Sequence, residues 1–211
     1  MSVSSRHTVW LILVVAVLAG AAGAWLGHRT PARPPEAPAL VHGLAYPAPR
    51  PLAPFSLERA DGGRLTLDDL HGRWTLLFIG FTHCPDVCPT TLATFRQLEP
   101  LLEAAQPALP HAFVFVSVDP ERDDATTLRD YTAYFSPRIV AATGTKDELD
   151  AFVRQLGALY AKVPLQGGDY TIDHSAQIMV IDPQARLAAI FRPPHDAAGI
   201  VADLRALAGA R

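Results

Sequence analysis

Both cysteines of the chain fall within Phe81-Thr82-His83-Cys84-Pro85-Asp86-Val87-Cys88-Pro89, four positions apart and each followed by proline. A thiolate attacks disulfides and ligates soft metals, so thiol exchange and metal binding are both open to this segment. A structural disulfide is a third reading, but a bridge closing so short a loop removes little entropy from the unfolded chain. Proline disfavours the α conformation in the residue before it, which predicts extended or turn geometry at Cys84 and Cys88 and a helix that starts only at Pro89. Cys88 then stands at a helix N-terminus, where backbone N–H groups and the helix dipole favour the thiolate.

A third donor is offered by Tyr170-Thr171-Ile172-Asp173-His174-Ser175, where His174 stands at a loop-to-strand junction with a carboxylate beside it. Two thiolates and an imidazole suit Cu(I), can hold Cu(II), and can also accept Zn(II). Asp173 is expected to orient the imidazole or a neighbouring backbone group from the second shell of ligands, with an ordinary turn aspartate as the alternative. His83 is adjacent to Cys84 and is weighed as an auxiliary ligand, with its side chain expected to point away along the strand direction.

These residues need elements to position them. Leu76 to Phe81 reads as a fully buried strand, and Leu92, Phe95, Leu98 and Leu102 mark the buried face of a helix from Pro89 to about Ala105. Phe55 to Leu57 and Arg64 to Leu67 flank the hairpin signal Asp61-Gly62-Gly63. His111 to Val118 is a second buried strand and Asp124 to Phe135 a helix, followed by a short strand at Ile139 to Ala142. The spacing of Leu149, Phe152, Val153 and Leu156 predicts a helix over Lys146 to Tyr160. Gln177 to Ile181 and Leu187 to Arg192 read as a hairpin, and Ala197 to Leu207 as a final helix. Strand and helix alternate first and a hairpin with a terminal helix closes the chain, which predicts an α/β class with a mixed central sheet and helices on both faces. A cysteine pair at a strand-to-helix junction is where a thioredoxin-like fold keeps its chemistry, and in that fold the His174 junction faces the cysteine loop. Three residues between the cysteines, where thioredoxin has two, suit a shared metal ion better.

Residues Thr8 to Leu26 carry no charged side chain, and 19 helical residues at about 1.5 Å each span roughly a bilayer core of ~30 Å. The expected organisation is a short tail (1–7), a transmembrane anchor (8–26), a Pro-rich linker (27–54) and a folded domain (55–211). Residues 31–54 hold eight of the 19 prolines, which reads as a stiff extended spacer. Small-residue runs at Ala19-Gly20-Ala21 and Ala22-Gly23-Ala24 leave a cleaved signal peptide as the alternative. Residues 55–211 contain 14 Lys and Arg against 20 Asp and Glu, a net charge of -6, so no nucleic-acid partner is expected.

Taken with Thr91 and Leu92, the run Gly80 to Pro89 resembles the Sco/SenC family of membrane-anchored, thioredoxin-like copper proteins that assist assembly of the dinuclear copper centre of cytochrome c oxidase. So do Val116-Ser117-Val118-Asp119-Pro120-Glu121-Arg122-Asp123 with Leu128 and Tyr131, and Asp173-His174-Ser175 with Ile181-Asp182-Pro183. The resemblance spans nearly all of residues 50–208. It implies that Cys84, Cys88 and His174 are copper ligands, that the copper-accepting subunit of the oxidase is the partner, and that the N-terminus lies inside. Lacking an amphipathic presequence, the chain is assigned to the bacterial inner membrane, single-pass, with its domain in the periplasm. Asp119, Arg122 and Asp123 are expected to turn the chain and cap the next helix.

The leading reading is a copper metallochaperone, a binding and transfer protein rather than an enzyme, supplied by an upstream copper donor. The second is a thiol:disulfide reductase that reduces the acceptor's copper-ligand cysteines through a redox-active Cys84–Cys88 disulfide and an upstream thiol reductant. A peroxidase would use Thr82 and Arg122 around one cysteine and is the weakest of the three.

Overall fold

The computed structural model describes residues 5–28 and 37–210. The described residues fall into an N-terminal unit and a compact unit of residues 37–210. The N-terminal unit is one helix, α1 (Ser5–His28), which takes in the expected anchor and starts ahead of it. Residues 7–27 of it are long and apolar enough to cross a membrane, and large side chains such as Trp10, Leu11 and Val17 lie bare on its surface. Apolar side chains exposed on every face of a helix call for lipid or a partner to cover them.

The compact unit is built on an eight-stranded mixed sheet in the order β1-β10-β9-β4-β5-β6-β2-β3. Its strands are β1 (Gly43–Pro51), β2 (Ser56–Arg59), β3 (Arg64–Thr66), β4 (Trp74–Gly80), β5 (His111–Ser117), β6 (Ile139–Thr143), β9 (Ile178–Ile181) and β10 (Arg186–Phe191). The central strand β4 is buried at every position, as its unbroken apolar sequence requires, and pairs in parallel with β5 and antiparallel with β9. Helix α2 (Val87–Glu103) follows β4 and packs between α3 (Ala125–Phe135) and α5 (Ala197–Gly209), while α4 (Lys146–Gln155) lies against β2. This is the expected thioredoxin-like α/β architecture. Leu92, Phe95, Leu98 and Leu102 of α2 are buried, as their spacing predicts.

Four expectations need correction. The Pro-rich linker was expected to extend to residue 54, yet Gly43–Pro51 is strand β1, paired antiparallel with β10. Pro47, Pro49 and Pro51 are tolerated because β1 is the edge strand, and the pairing shifts register between Ala45 and Arg50. The strand's start is held by Asp203 of α5, whose buried carboxylate accepts the N–H groups of Val41, His42 and Gly43 at 2.8–2.9 Å. Residues 29–36 of the expected linker lie outside the described residues. Second, α2 starts at Val87, so Cys88 is inside its first turn. Pro89 causes no loss there, because the first-turn N–H groups have no intrahelical partner.

Third, the helix expected to reach Tyr160 stops at Gln155, just before Gly157 adopts φ +69°. Tyr160 instead opens β7 (Tyr160–Pro164), which pairs with β8 (Tyr170–His174) in a separate two-stranded sheet. Both turn glycines have positive φ, 84° at Gly167 and 87° at Gly168, so the connection suits glycine. Fourth, His174 is the last residue of β8 rather than a residue leading directly into β9.

Candidate metal centre

Three elements bring three donors together. Cys84 lies within the loop between β4 and α2, Cys88 lies in the first turn of α2, and His174 is the last residue of β8 in the β7–β8 hairpin. Their ligand atoms all lie within 4.8 Å of one another, and Cys88 Sγ is 3.4 Å from His174 Nε2. Donors each a little over 2 Å from a shared ion stand about 3–4 Å apart, so little closure is needed to hold one metal. Both cysteines are free and buried, Cys88 completely. No bulkier residue could replace Gly80 without moving this sulfur, because a Cβ there would sit 2.5 Å from Cys88 Sγ.

His174 presents a defined nitrogen. Its Nδ1 is 3.2 Å from the carbonyl oxygen of Ser175. A carbonyl only accepts, so Nδ1 carries the hydrogen and Nε2, facing the sulfurs, keeps the lone pair a metal needs. The rings of Phe78 and Phe81 stand nearly perpendicular to the imidazole at 5.7 and 5.9 Å and wall it on the protein side. Asp173 does not play the orienting part expected of it. It is exposed, with no side-chain hydrogen bond or ion pair among the described residues, because strand alternation turns it to the face opposite Ile172 and His174.

The charge distribution also differs from the sequence reading. Of the two thiols, Cys84 is held down and Cys88 is pushed up. A hydrogen bond from the Cys88 side chain and the N–H groups of Asp86 and Cys88 hold the Cys84 thiol well below its ordinary range, overcoming its own burial. Burial pushes the Cys88 thiol up, and the neighbouring Cys84 sulfur adds to the effect. The helix N-terminus therefore serves the sulfur in front of it rather than the one inside its first turn.

The residues expected only to turn the chain after β5 hold the site together. Buried Asp123 accepts the Thr82 N–H at 2.8 Å, the Thr82 hydroxyl at 2.6 Å and the Ser117 hydroxyl at 2.5 Å, which pins the loop leading to Cys84. Buried Asp119 accepts Arg122 Nε at 2.6 Å and the Tyr170 hydroxyl at 2.7 Å, which ties the His174 hairpin to the same segment. Arg122 stacks on Tyr170 with its guanidinium carbon 3.7 Å from the ring centroid, and Lys162 lies 3.8 Å from the same centroid. The expected α3 cap falls one residue later, at Asp124, whose carboxylate accepts the Thr127 N–H at 2.7 Å. Gly80, Ser117, Phe81 and Tyr170 carried no chemical signal of their own in the sequence. His83 is not among the three converging donors.

Comparison with known proteins agrees with this geometry. The SCO1/SenC family model matches residues 46–209. A mitochondrial SCO1 homolog 1 of Arabidopsis thaliana is 35% identical over 158 residues, covering 72% of this chain and 46% of the relative. A mitochondrial SCO1 homolog of Homo sapiens is 35% identical over 157 residues, covering 72% and 52%. The chain thus spans about half the length of these curated relatives. The structure of Bradyrhizobium japonicum ScoI with copper bound is 34% identical, with a TM-score of 0.65, and covers 72% of this chain and 96% of that one.

Proposed function

The chain belongs to the SCO1/SenC family, and on that premise we propose that its domain binds one copper ion through Cys84 Sγ, Cys88 Sγ and His174 Nε2 and passes it by ligand exchange to an apo copper subunit of cytochrome c oxidase. The observation that carries the proposal is the convergence of these three atoms within 4.8 Å. Two sulfurs and an imidazole lone pair form a soft-to-borderline set suited to copper. The test is titration of the reduced full chain, in detergent, with Cu(I). One copper per chain is expected, with strong thiolate-to-copper charge-transfer absorption when Cu(II) is bound instead. No uptake at equimolar copper would sink the proposal.

A second reading is favoured by the unequal sulfurs. The Cys84 thiolate would attack an acceptor disulfide and release one thiolate. Cys88 would then displace the other, leaving an acceptor dithiol and a Cys84–Cys88 disulfide for an upstream dithiol to reduce. Such exchange has no need of His174, which stands 3.4 Å from Cys88.

The proposal places the chain in a bacterial inner membrane with its domain on the periplasmic side, held by α1. An attached helix confines a donor near a membrane-embedded acceptor and raises its effective concentration. The full-length protein should therefore stay with membranes through an alkaline carbonate wash. Recovery in the wash as a shortened chain beginning near Trp25 would show that the segment is a cleaved signal.

A further inference from the structure

His83 is bound into the site's scaffold without belonging to its donor group. Its side chain is 52% exposed, whereas Cys84, the next residue, is buried. The Thr82 hydroxyl has one hydrogen, which it donates to Asp123 Oδ1 at 2.6 Å. Toward His83 Nδ1, 3.1 Å away, this hydroxyl can therefore only accept. Nδ1 carries the hydrogen, and Nε2 keeps its lone pair with no partner among the described residues. Asp123 Oδ1 itself lies 3.7 Å from Nδ1. A carboxylate relayed to an imidazole in this way fixes the tautomer and strengthens the far nitrogen as a ligand. His174 has the same tautomer, fixed by a backbone carbonyl. At and beside the site, two imidazoles are thus organised to present Nε2, one walled in beside the sulfurs and one half open to solvent.

We propose that His83 Nε2 is a transfer ligand, which takes copper from the buried donors as it leaves and offers it to the incoming acceptor. The inference rests on the copper reading of Cys84, Cys88 and His174. His83 is the chain neighbour of Cys84, with consecutive Cα atoms about 3.8 Å apart, so both side chains stem from one short loop. The step is an exchange of bonds without electron transfer. A bond from copper to His83 Nε2 forms as the bond to His174 Nε2 breaks, and an acceptor thiolate then forms its bond as His83 lets go. Copper never falls to the sulfurs alone. An exposed imidazole hydrogen-bonded to a buried carboxylate system has a use in this sequence of exchanges that loop packing does not require.

The experiment compares the full chain with its His83→Ala variant, both loaded with Cu(I) in detergent and mixed with excess bathocuproine disulfonate as the copper acceptor. Both proteins should load one copper per chain and show the same copper spectrum. The variant should release copper more slowly by about tenfold or more, as for loss of an organised outer ligand. Free imidazole in millimolar excess should restore the variant's rate while changing that of the unaltered chain little, which a merely structural role would not produce. Equal release rates would overturn the inference and leave the three-donor site standing. A variant that loads poorly would make His83 a resident ligand, which also overturns a transfer role. Failure of the unaltered chain to load copper would remove the underlying reading instead.

Discussion

His174→Ala should weaken copper binding by more than the roughly 10- to 100-fold typical of losing an outer-shell partner, because it removes one of three converging donors. His174 is only partly buried, and its ring packs edge-on against Phe78 and Phe81, so the fold should survive the change. Cys84 and Cys88 remain in place, and their ability to form and exchange a disulfide should be kept. The measurement pairs a competitive copper titration with a thiol-disulfide exchange assay on the same preparation, and far-ultraviolet circular dichroism reports the fold. Lost copper affinity with intact exchange supports metal binding as the function of the three-residue group. Unchanged copper affinity would remove His174 from the site and leave the dithiol reading as the better one.

Asp123→Asn, nearly identical in shape, should be the most damaging conservative change near the site. Three donors converge on the carboxylate: the Thr82 N–H, the Thr82 hydroxyl and the Ser117 hydroxyl. An amide offers one oxygen, and its NH2 group must replace the other. If NH2 faces the Thr82 N–H, two fixed donors meet in a buried place. If it faces the Thr82 hydroxyl, that hydroxyl must turn its hydrogen elsewhere, and the bond relay to His83 breaks. A buried donor left unpaired costs about 1–3 kcal/mol. For a domain of this size that corresponds to roughly 2–4 °C in Tm per kcal/mol. Thermal unfolding of the apo protein reads the effect directly. A Tm within a degree of the unaltered chain would mean that the Asp123 bonds do not hold the cysteine loop.

The sequence was most informative where a single local rule governs the outcome. The unbroken apolar run before the cysteines could only be a buried strand, and Leu92, Phe95, Leu98 and Leu102 could share one buried surface only as a helix. Cys84, Cys88 and His174 were identifiable by residue type and by their places at element ends. Sequence rules failed where burial or pairing decided between local alternatives. Prolines at 47, 49 and 51 suggested a free spacer, but the edge of a sheet tolerates missing N–H donors, and Asp203, about 160 residues away, fastens that strand at its start. The β7–β8 hairpin was hidden because its strands are short and mostly uncovered, so they lack the apolar alternation by which half-buried strands are recognised.

By itself the sequence determined which atoms can bind or exchange, since thiol, imidazole and carboxylate chemistry belongs to residue type. It also determined the order of most strands and helices, with β1 and the β7–β8 hairpin that carries His174 as the exceptions. Only the tertiary structure decided which sulfur is the more acidic and which nitrogen is free. Complete burial raises the Cys88 thiol, while the Cys88 side chain and the N–H groups at the start of α2 favour the Cys84 thiolate. The Ser175 carbonyl and the Thr82–Asp123 relay set the tautomers of His174 and His83. Strand alternation sent Asp173 away from the site although it adjoins His174. Several of these contacts join near neighbours in the chain, but which atoms meet depends on the burial and backbone path that the fold imposes, and Asp123 comes in from 41 residues beyond Thr82.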